Sequence, residues 1–278
     1  MSVTSNYITV LDRELHYTEW GAGHAETVVM WHGLARTGRD FDDIAEALSG
    51  RYRVLCPDTL GRGLSQWSPQ PKEEYCLAFY ARLATALLDA LGVVDMLWLG
   101  TSMGGAIGTV LAGGALRGRI RKLVLNDNGP QLAAAAIERI RTYAGNPAAF
   151  ARVSELEQYF RTVYKPFGRL TEAQWRRLTE TSTRRLPDGR VTPHYDPNMV
   201  QQFVEHPRDY DLWEEYDRIT APTLCLRGAE SDLLLAETAQ EMTRRGPRCR
   251  LETVPGVGHA PALNVPEQIG LVAEFLAS

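Results

Sequence analysis

The chain has 278 residues, of which 44% are hydrophobic and 23% are charged. These proportions are ordinary for a globular protein and exclude a chain that is disordered throughout. The formal net charge of −4 argues against a general nucleic-acid binder or a binder of anionic membranes, because both need a basic surface.

The first predicted element is a β-hairpin near the amino terminus. Alternating runs at 7–10 and 14–19 flank the short stretch 11–13, which is typical of two antiparallel strands. The residues before the hairpin are polar and do not resemble a signal peptide, and no run reaches the ~18 apolar residues of a membrane span. We therefore expect a cytoplasmic protein that makes no membrane contact.

Short apolar runs then alternate with helical patterns. The runs predict strands buried on both faces, and they lie at 27–31, 53–56, 96–99, 120–125, 223–226 and 251–254. The patterns between them predict helices at 41–48, 75–91, 102–115, 235–245 and 266–276. Strands that alternate with helices indicate an α/β fold with a mostly parallel sheet.

The alternation stops between Pro130 and about Asp217. This stretch is rich in aromatic residues, shows helical segments at 131–143, 147–164 and 171–185, and contains no buried-strand run. We interpret 130–217 as a helical insert on a core formed by 1–129 and 218–278. Tyr143, Tyr159, His194 and Trp213 in this insert are candidates for substrate contact, although any one of the aromatic side chains is more simply explained by a small core within the insert.

The strongest chemical signal is Gly100-Thr101-Ser102-Met103-Gly104, which lies between a predicted strand and a predicted helix. A sharp strand-to-helix turn strains its central residue, and flanking glycines relieve the crowding. Such a turn exposes the Ser102 hydroxyl at the carboxyl end of the sheet. We therefore predict that Ser102 is a nucleophile rather than a helix-capping serine.

A serine nucleophile needs a base, and that base needs a carboxylate to orient it. His259, in the loop after the last predicted strand, is the expected base. Asp232, in the loop after the strand at 223–226, is the preferred acid, and it gives the order Ser, Asp, His that is typical of this arrangement. Asp127, just past the strand at 120–125, is the second candidate.

Acyl transfer also needs N–H donors for the developing oxyanion. His32-Gly33-Leu34 directly follows the strand at 27–31, and Gly33 lets the chain turn there and present the Leu34 N–H to the site. The Met103 N–H at the start of the next helix is the second expected donor. Arg36, two residues beyond Leu34, is a candidate for holding a substrate carboxylate, with a solvated or ion-paired surface arginine as the alternative.

Together these residues resemble the α/β-hydrolase fold superfamily. The resemblance is carried by His32-Gly33, Asp58-x-x-Gly61-x-Gly63-x-Ser65, Gly100-x-Ser102-x-Gly104, Asp232 and Gly258-His259, which span almost the whole chain. It implies the α/β-hydrolase fold, with a mostly parallel eight-stranded sheet, helices on both faces and 130–217 as a helical cap. The segments 123–130, 226–232 and 255–261 are similar to bacterial cytoplasmic esterases grouped with intracellular polyhydroxyalkanoate depolymerases.

We therefore predict a serine hydrolase that cleaves small or medium carboxylic esters, including hydroxyalkanoate oligomers, through an acyl-enzyme. We expect a small-molecule ester as partner and no metal, cofactor, nucleic acid or membrane, and we leave a homodimer open. Two alternatives remain: a lactonase or cofactor-free perhydrolase with the same three residues, and a slow ligand-binding receptor on the same fold.

Overall fold

A computed structural model describes residues 3–278, apart from the side chain of Tyr143. The described residues form strands β1 (Val3–Val10), β2 (Arg13–Trp20), β3 (Thr27–Trp31), β4 (Arg53–Pro57), β5 (Met96–Thr101), β6 (Ile120–Asn126), β7 (Thr183–Arg185), β8 (Val191–Pro193), β9 (Thr223–Gly228) and β10 (Arg250–Val254). Every strand predicted from the sequence is present within a few residues of its expected bounds.

Eight of these strands form one sheet in the order β1-β2-β4-β3-β5-β6-β9-β10. Strand β2 is antiparallel to both of its neighbours, whereas the pairs from β4 to β10 are parallel. The chain moves from β3 to β4 on one side and returns to β5 on the other. The carboxyl ends of β3 and β5 therefore meet where the winding direction reverses, which is the usual position of a ligand site in such sheets.

The helices found in the described residues are α1 (Asp42–Leu48), α2 (Pro71–Glu74), α3 (Leu77–Ala90), α4 (Met103–Gly113), α5 (Ala134–Ala144), α6 (Val153–Val163), α7 (Glu172–Thr181), α8 (Gln201–Glu205), α9 (Trp213–Asp217), α10 (Ala236–Met242) and α11 (Pro266–Ala277). Apolar residues of α3 and α4 pack in one cluster on the sheet, and those of α1 and α11 pack in a second. Helices thus cover both faces, as expected for the α/β-hydrolase fold.

The amino-terminal hairpin has a tighter turn than its sequence suggests. Val10 pairs directly with Arg13, so only Leu11 and Asp12 form the turn, and both have positive φ values of 49° and 56°. Two left-handed residues define the turn that best matches the twist of antiparallel strands. Leu11 adopts this conformation without the glycine or asparagine that usually marks it, so the sequence gives little sign of it.

The stretch between β6 and β9 contains a small hydrophobic cluster of its own, formed by Leu156, Phe160, Trp175, Leu178 and Val191. The expectation of helices alone in this stretch is wrong, because β7 and β8 pair as a short antiparallel ribbon. Their connection contains Asp188-Gly189, and Gly189 has a φ of 87° that suits glycine. The boundaries proposed for a separate cap, at 129/130 and 217/218, stay a prediction.

No helix among residues 3–278 combines the length and the apolar character needed to cross a bilayer.

Candidate active site

Ser102 lies at a sharp turn between β5 and α4. Its backbone has a φ of 53°, in the left-handed region that is costly for a residue with a side chain. A Cβ on Gly100 would lie 2.2 Å from the Gly104 carbonyl oxygen, and a Cβ on Gly104 would lie 1.9 Å from the Trp31 carbonyl oxygen. Only glycine fits at these two positions, so the sequence pattern around Ser102 is a requirement of the close approach between β3, β5 and α4.

The Ser102 hydroxyl, the His259 imidazole and a carboxylate form a continuous hydrogen-bonded chain. The Oγ of Ser102 lies 2.9 Å from Nε2 of His259, and Nδ1 of the same ring lies 2.7 Å from Oδ2 of Asp127. His259 follows β10 and Ser102 follows β5, so the parallel sheet brings both loops to one edge. The two residues predicted as nucleophile and base are therefore in contact.

Asp127 follows β6, the sheet neighbour of β5, and its carboxylate is completely buried. Oδ1 accepts a hydrogen bond from the Gly228 N–H at 2.8 Å, and Oδ2 accepts one from the Ser231 hydroxyl at 2.5 Å in addition to its contact with His259. A buried carboxylate is stable as an anion only when donors surround it in this way. Asp127 is thus a fixed negative charge beneath the imidazole.

The prediction that Asp232 orients His259 is wrong. The Asp232 carboxylate forms an ion pair with the Arg139 guanidinium of α5, and its side chain is 56% exposed. The Arg139 hydrogen bond lowers the pKa of Asp232. The loop after β9 carries Asp232 away from the imidazole, while the adjacent Ser231 donates to Asp127. The second candidate of the sequence analysis occupies the position of the acid.

Two backbone N–H groups lie beside Ser102 without a protein acceptor. Among the described residues, neither the Leu34 N–H nor the Met103 N–H donates a hydrogen bond. A Cβ on Gly33 would lie 3.5 Å from Cβ of Ser102, so the turn that precedes Leu34 is in contact with the nucleophile. Met103 is the first residue of α4, and the first N–H groups of a helix have no acceptor within the helix. Both groups are available to a developing oxyanion.

The loop that carries Leu34 is held from below by buried polar groups. The Leu34 carbonyl accepts a hydrogen bond from Nε of Arg62 at 2.9 Å, and Nδ1 of His32 lies 2.7 Å from the Gly33 carbonyl oxygen. Burial lowers the pKa of His32 to about 4, and Nε2 of its neutral ring accepts from the Thr59 N–H at 2.8 Å. His32 therefore supports the loop as a structural residue.

A cavity of about 520 Å³ opens above the Ser102 hydroxyl. Its floor includes Gly33, Leu34, Ser102 and His259, and its walls include residues from α5, α6 and α7. Most of the exposed wall is apolar, with aromatic rings on the side of α6. Helices α5, α6 and α7 therefore form part of the roof over Ser102.

Two of the four candidate substrate residues from the insert are not in this wall. Trp213 lies at the start of α9, where its ring packs against the Arg245 guanidinium at 4.1 Å. His194 is buried beneath the wall and its Nδ1 accepts from the Gly63 N–H at 2.7 Å, while burial lowers the pKa of its ring to about 3. Both predictions of substrate contact are corrected, because each ring is used in packing against its own surroundings.

Tyr159 and Arg36 do line the cavity. The Tyr159 ring packs against Phe150 and Phe160, so it belongs both to the wall and to the small hydrophobic cluster behind it. Tyr143 is part of α5, but its side chain lies outside the described residues. Arg36 pairs with Asp40, as in the ion-paired alternative, but it is almost completely buried and is not the surface arginine that this alternative described.

Comparison with known proteins identifies the family of the chain. A sequence profile of the alpha/beta hydrolase family matches residues 28–269. The chain is 42% identical to the 3-hydroxybutyrate-oligomer hydrolase of Cupriavidus necator, over 93% of this chain and 91% of that protein. It is 26% identical to the pimeloyl-[acyl-carrier protein] methyl ester esterase of Xanthomonas oryzae pv. oryzae, over 92% of this chain and 97% of that enzyme.

Solved structures agree with this assignment. An alpha/beta hydrolase from Novosphingobium aromaticivorans superposes with a TM-score of 0.88 and 34% identity, over 99% of this chain and 98% of the other. The match extends over the sheet and over the helices that roof the cavity. The chain therefore belongs to the alpha/beta hydrolase family, as an enzyme of the esterase type.

Proposed function

We propose that this protein is a serine esterase that hydrolyses short linear oligomers of 3-hydroxybutyrate. The observation that carries the proposal is the hydrogen-bonded chain from Ser102 through His259 to Asp127 at the floor of the cavity. The substrate class is supported by the 42% identity to the Cupriavidus necator hydrolase over nearly the full length of both proteins. A cavity of about 520 Å³ lies within the size range of small-molecule sites.

The reaction begins with attack on the ester carbonyl. As Ser102 Oγ forms a bond to the carbonyl carbon, His259 Nε2 accepts the hydroxyl proton across their 2.9 Å contact. The carbonyl oxygen becomes an oxyanion, which accepts hydrogen bonds from the Leu34 and Met103 N–H groups. Each such donor contributes roughly 3–4 kcal/mol to the transition state in enzymes where it has been removed.

Collapse of this intermediate breaks the ester bond on the alcohol side. His259 gives its proton to the departing alkoxide oxygen, which leaves as the hydroxyl group of a 3-hydroxybutyrate unit. The remaining acyl group stays attached to Ser102 Oγ. Water then attacks the acyl carbon as His259 accepts one of its protons, and the shortened oligomer leaves as a carboxylic acid while Ser102 regains its hydroxyl proton.

Asp127 makes these proton transfers possible by fixing the imidazole. Its Oδ2 accepts the Nδ1–H of His259 at 2.7 Å, so Nε2 of the neutral ring is left as the acceptor that faces Ser102. When the ring becomes an imidazolium, the buried negative charge of Asp127 stabilises it. The Gly228 and Ser231 donors hold the carboxylate in the orientation that this contact requires.

The walls of the cavity suit a chain of repeating methyl and ester groups. Apolar side chains such as Ile140, Val163 and Leu233 and rings such as Tyr159 and Phe167 line the cavity together with charged side chains. The apolar part of this wall buries methyl and methylene groups favourably. The preference for 3-hydroxybutyrate over longer hydroxyacyl units is expected to come from the volume available between these residues.

The substitution Ser102→Ala tests the proposal. We expect the wild-type protein to release 3-hydroxybutyrate from its linear trimer and the variant to lose this activity by roughly a million-fold or to the detection limit. Ser154→Ala is a matched control, because Ser154 is an exposed serine of α6 that does not line the cavity. Turnover of the trimer by Ser102→Ala at the wild-type rate would contradict the mechanism.

The same assay separates the ester from the lactone alternative. The wild-type protein is expected to cleave the linear trimer at a higher kcat/KM than β-butyrolactone, and the reverse order would favour a lactonase.

We further propose that the enzyme acts in the cytoplasm, which is supported by the four free, buried cysteines at 56, 76, 225 and 249. Cell fractionation with an antibody to the native protein tests this location.

A further inference from the structure

Arg36 has one buried guanidinium nitrogen without a hydrogen-bond partner. The residue is only 5% exposed and lines the cavity that contains Ser102. Its Nε and Nη2 donate to the Asp40 carboxylate at 2.7 and 2.5 Å, while Nη1 has no acceptor among residues 3–278. A buried donor of a charged group is costly when it is left unpaired, so an acceptor of a bound ligand is the natural partner for Nη1.

The position of Nη1 is rigidly determined. The Asp40 carboxylate holds one edge of the guanidinium group, and Cζ of Arg36 lies over the Tyr164 ring, 4.5 Å from the ring centroid. Burial by itself would lower the pKa of Arg36, but the Asp40 carboxylate and the Tyr164 phenol outweigh it and raise the pKa. The side chain therefore keeps its charge, while Nη1 lies buried without a hydrogen-bond partner among the described residues, in a residue that lines the cavity.

Arg36 is also close to the nucleophile. Cβ of Ser102 and Cγ of Arg36 both lie within 4 Å of the position that a Cβ on Gly33 would occupy. The same loop supplies the Leu34 N–H to the oxyanion. Because the stem of Arg36 and Ser102 flank the same loop, we expect a ligand group bound at Nη1 and an ester carbonyl bound at Ser102 to be close together in the substrate.

The other arginines of the cavity wall differ from Arg36. Arg39 pairs with Asp42, Arg177 with Asp43 and Arg139 with Asp232. Each of these three side chains is about a third exposed or more, so water can satisfy its remaining donors. Within the described residues, Arg36 is the arginine of this wall with a buried unpaired nitrogen.

The proposed substrate has one group that matches this donor. A linear 3-hydroxybutyrate oligomer ends in an ionised carboxylate, and hydrogen bonds between guanidinium and carboxylate groups are stronger than those to neutral carbonyls. In the last ester linkage, the carbonyl carbon is separated from the terminal carboxylate carbon by one oxygen and two carbons. A carboxylate held at Arg36 would thus bring this last linkage, and not an internal one, to Ser102.

We propose that Nη1 of Arg36 binds the terminal carboxylate of the oligomer, so that the enzyme selects free-acid substrates and cleaves them at the carboxyl-terminal linkage. This inference rests on the proposed function, because it concerns the same nucleophile and the same substrate class. In each turnover the leaving alcohol is the terminal 3-hydroxybutyrate, which carries the carboxylate away from Arg36. The rest of the oligomer remains on Ser102 Oγ until water releases it.

The smallest probe of this site is 3-acetoxybutyrate, compared with its methyl ester. Both contain the same acetyl ester, and only the first has a carboxylate on the leaving group, so acetate release is measured for each. We expect the wild-type kcat/KM to be about 10- to 100-fold higher for the free acid, because the methyl ester lacks the hydrogen bond between two charged groups. The difference should lie mainly in a lower KM for the free acid. A ratio near one would overturn the inference.

A double substitution that removes one positive and one negative charge tests whether Arg36 causes the preference for the free acid. The variant Arg36→Gln/Asp40→Asn removes the guanidinium without leaving Asp40 unpaired, and we expect its free-acid to methyl-ester ratio to fall to about one. The variant Arg13→Gln/Glu74→Gln is a matched control, because this ion pair is also largely buried and neither of its residues lines the cavity, and it should keep the wild-type ratio. An unchanged ratio in the first variant would also overturn the inference.

A labelled substrate tests the cleavage position without any variant. In a linear tetramer whose carboxyl-terminal unit is deuterated, the first monomer released should carry the label. Early release of unlabelled monomer or of dimers would contradict cleavage at the carboxyl-terminal linkage. Hydrolysis of 3-acetoxybutyrate with the predicted preference, but not of any 3-hydroxybutyrate oligomer, would retain the Arg36 site and reject the proposed oligomer substrate.

Discussion

Replacing each of the two candidate acids separates their roles. In Asp127→Asn the side chain keeps its size, but its amide group cannot accept from all of the three donors that now face the carboxylate. These are the Gly228 N–H at 2.8 Å, the Ser231 hydroxyl at 2.5 Å and Nδ1 of His259 at 2.7 Å. An amide N–H facing Nδ1 would favour the tautomer that places the ring proton on Nε2, where it can no longer accept from Ser102.

The expected loss is large for Asp127 and small for Asp232. In a serine hydrolase where the orienting aspartate was changed to asparagine, kcat fell by about 10⁴-fold, which corresponds to roughly 5 kcal/mol of transition-state free energy. We expect a loss of about 10³- to 10⁴-fold for Asp127→Asn. Asp232 is 56% exposed in its pair with Arg139, and such pairs contribute at most about 1 kcal/mol, so Asp232→Asn should stay within about five-fold of wild type.

The assay is the kcat of p-nitrophenyl butyrate hydrolysis, with the urea midpoint of each variant as the control for folding. The pH profile adds a second reading, because a high-pH gain of activity in Asp127→Asn would indicate a base that has lost its orienting anion. A loss above 100-fold in Asp232→Asn, together with less than 10-fold in Asp127→Asn, would refute the assignment of Asp127 as the orienting acid.

Three further predictions concern the support of the site. Ser231→Ala removes a donor from a buried carboxylate and should lower the free energy of unfolding by about 1.5–3 kcal/mol in urea titrations, and no change would argue against the contact. Gly104→Ala should yield no soluble folded protein, since its Cβ would lie 1.9 Å from a backbone oxygen, whereas Gly270→Ala on open helix surface should fold normally. Because burial lowers the pKa of His32 to about 4 and of His194 to about 3, both stay neutral in the native state while the unfolded chain takes up protons below pH ~6.5. Stability should therefore fall by roughly 2 kcal/mol for each histidine from pH 7 to pH 5, and equal urea midpoints at the two pH values would contradict this.

Much of the fold follows from local sequence patterns. Buried strands such as β3 and β6 read as continuous apolar runs, because a parallel sheet covered on both faces has no polar side. The pair β7 and β8 was missed because strands of three residues show no alternation, although Asp188-Gly189 is a turn signal that marks their connection.

The acid illustrates a limit of reasoning from the sequence. Both Asp127 and Asp232 follow strands at the correct edge of the sheet, and both give the chain order Ser, Asp, His. Which carboxylate meets His259 depends on where two loops lie relative to a third, and that is decided by tertiary contacts such as the Gly228 N–H to Asp127. The signal available in the sequence was that Asp127 directly follows the strand next to that of Ser102.

The candidate substrate residues show the same limit in another way. Trp213 and His194 are aromatic side chains with polar ring nitrogens, and they lie in a segment rich in aromatic residues. No local sequence pattern shows whether such a side chain lines a cavity or packs against other parts of the protein. Arg36 was recognised because it is two residues beyond Leu34, but its unpaired Nη1 is a property of its surroundings and has no counterpart in the sequence.

Covalent labelling of the nucleophile tests the serine mechanism most directly. The wild-type protein is treated with the phosphate triester paraoxon, and the modified residue is located by peptide mass spectrometry. We predict one diethylphosphoryl group per chain, on the Oγ of Ser102, with complete loss of esterase activity and a strongly reduced labelling rate in His259→Ala. Labelling at another residue, or an unlabelled Ser102 in a fully inactivated enzyme, would contradict the account.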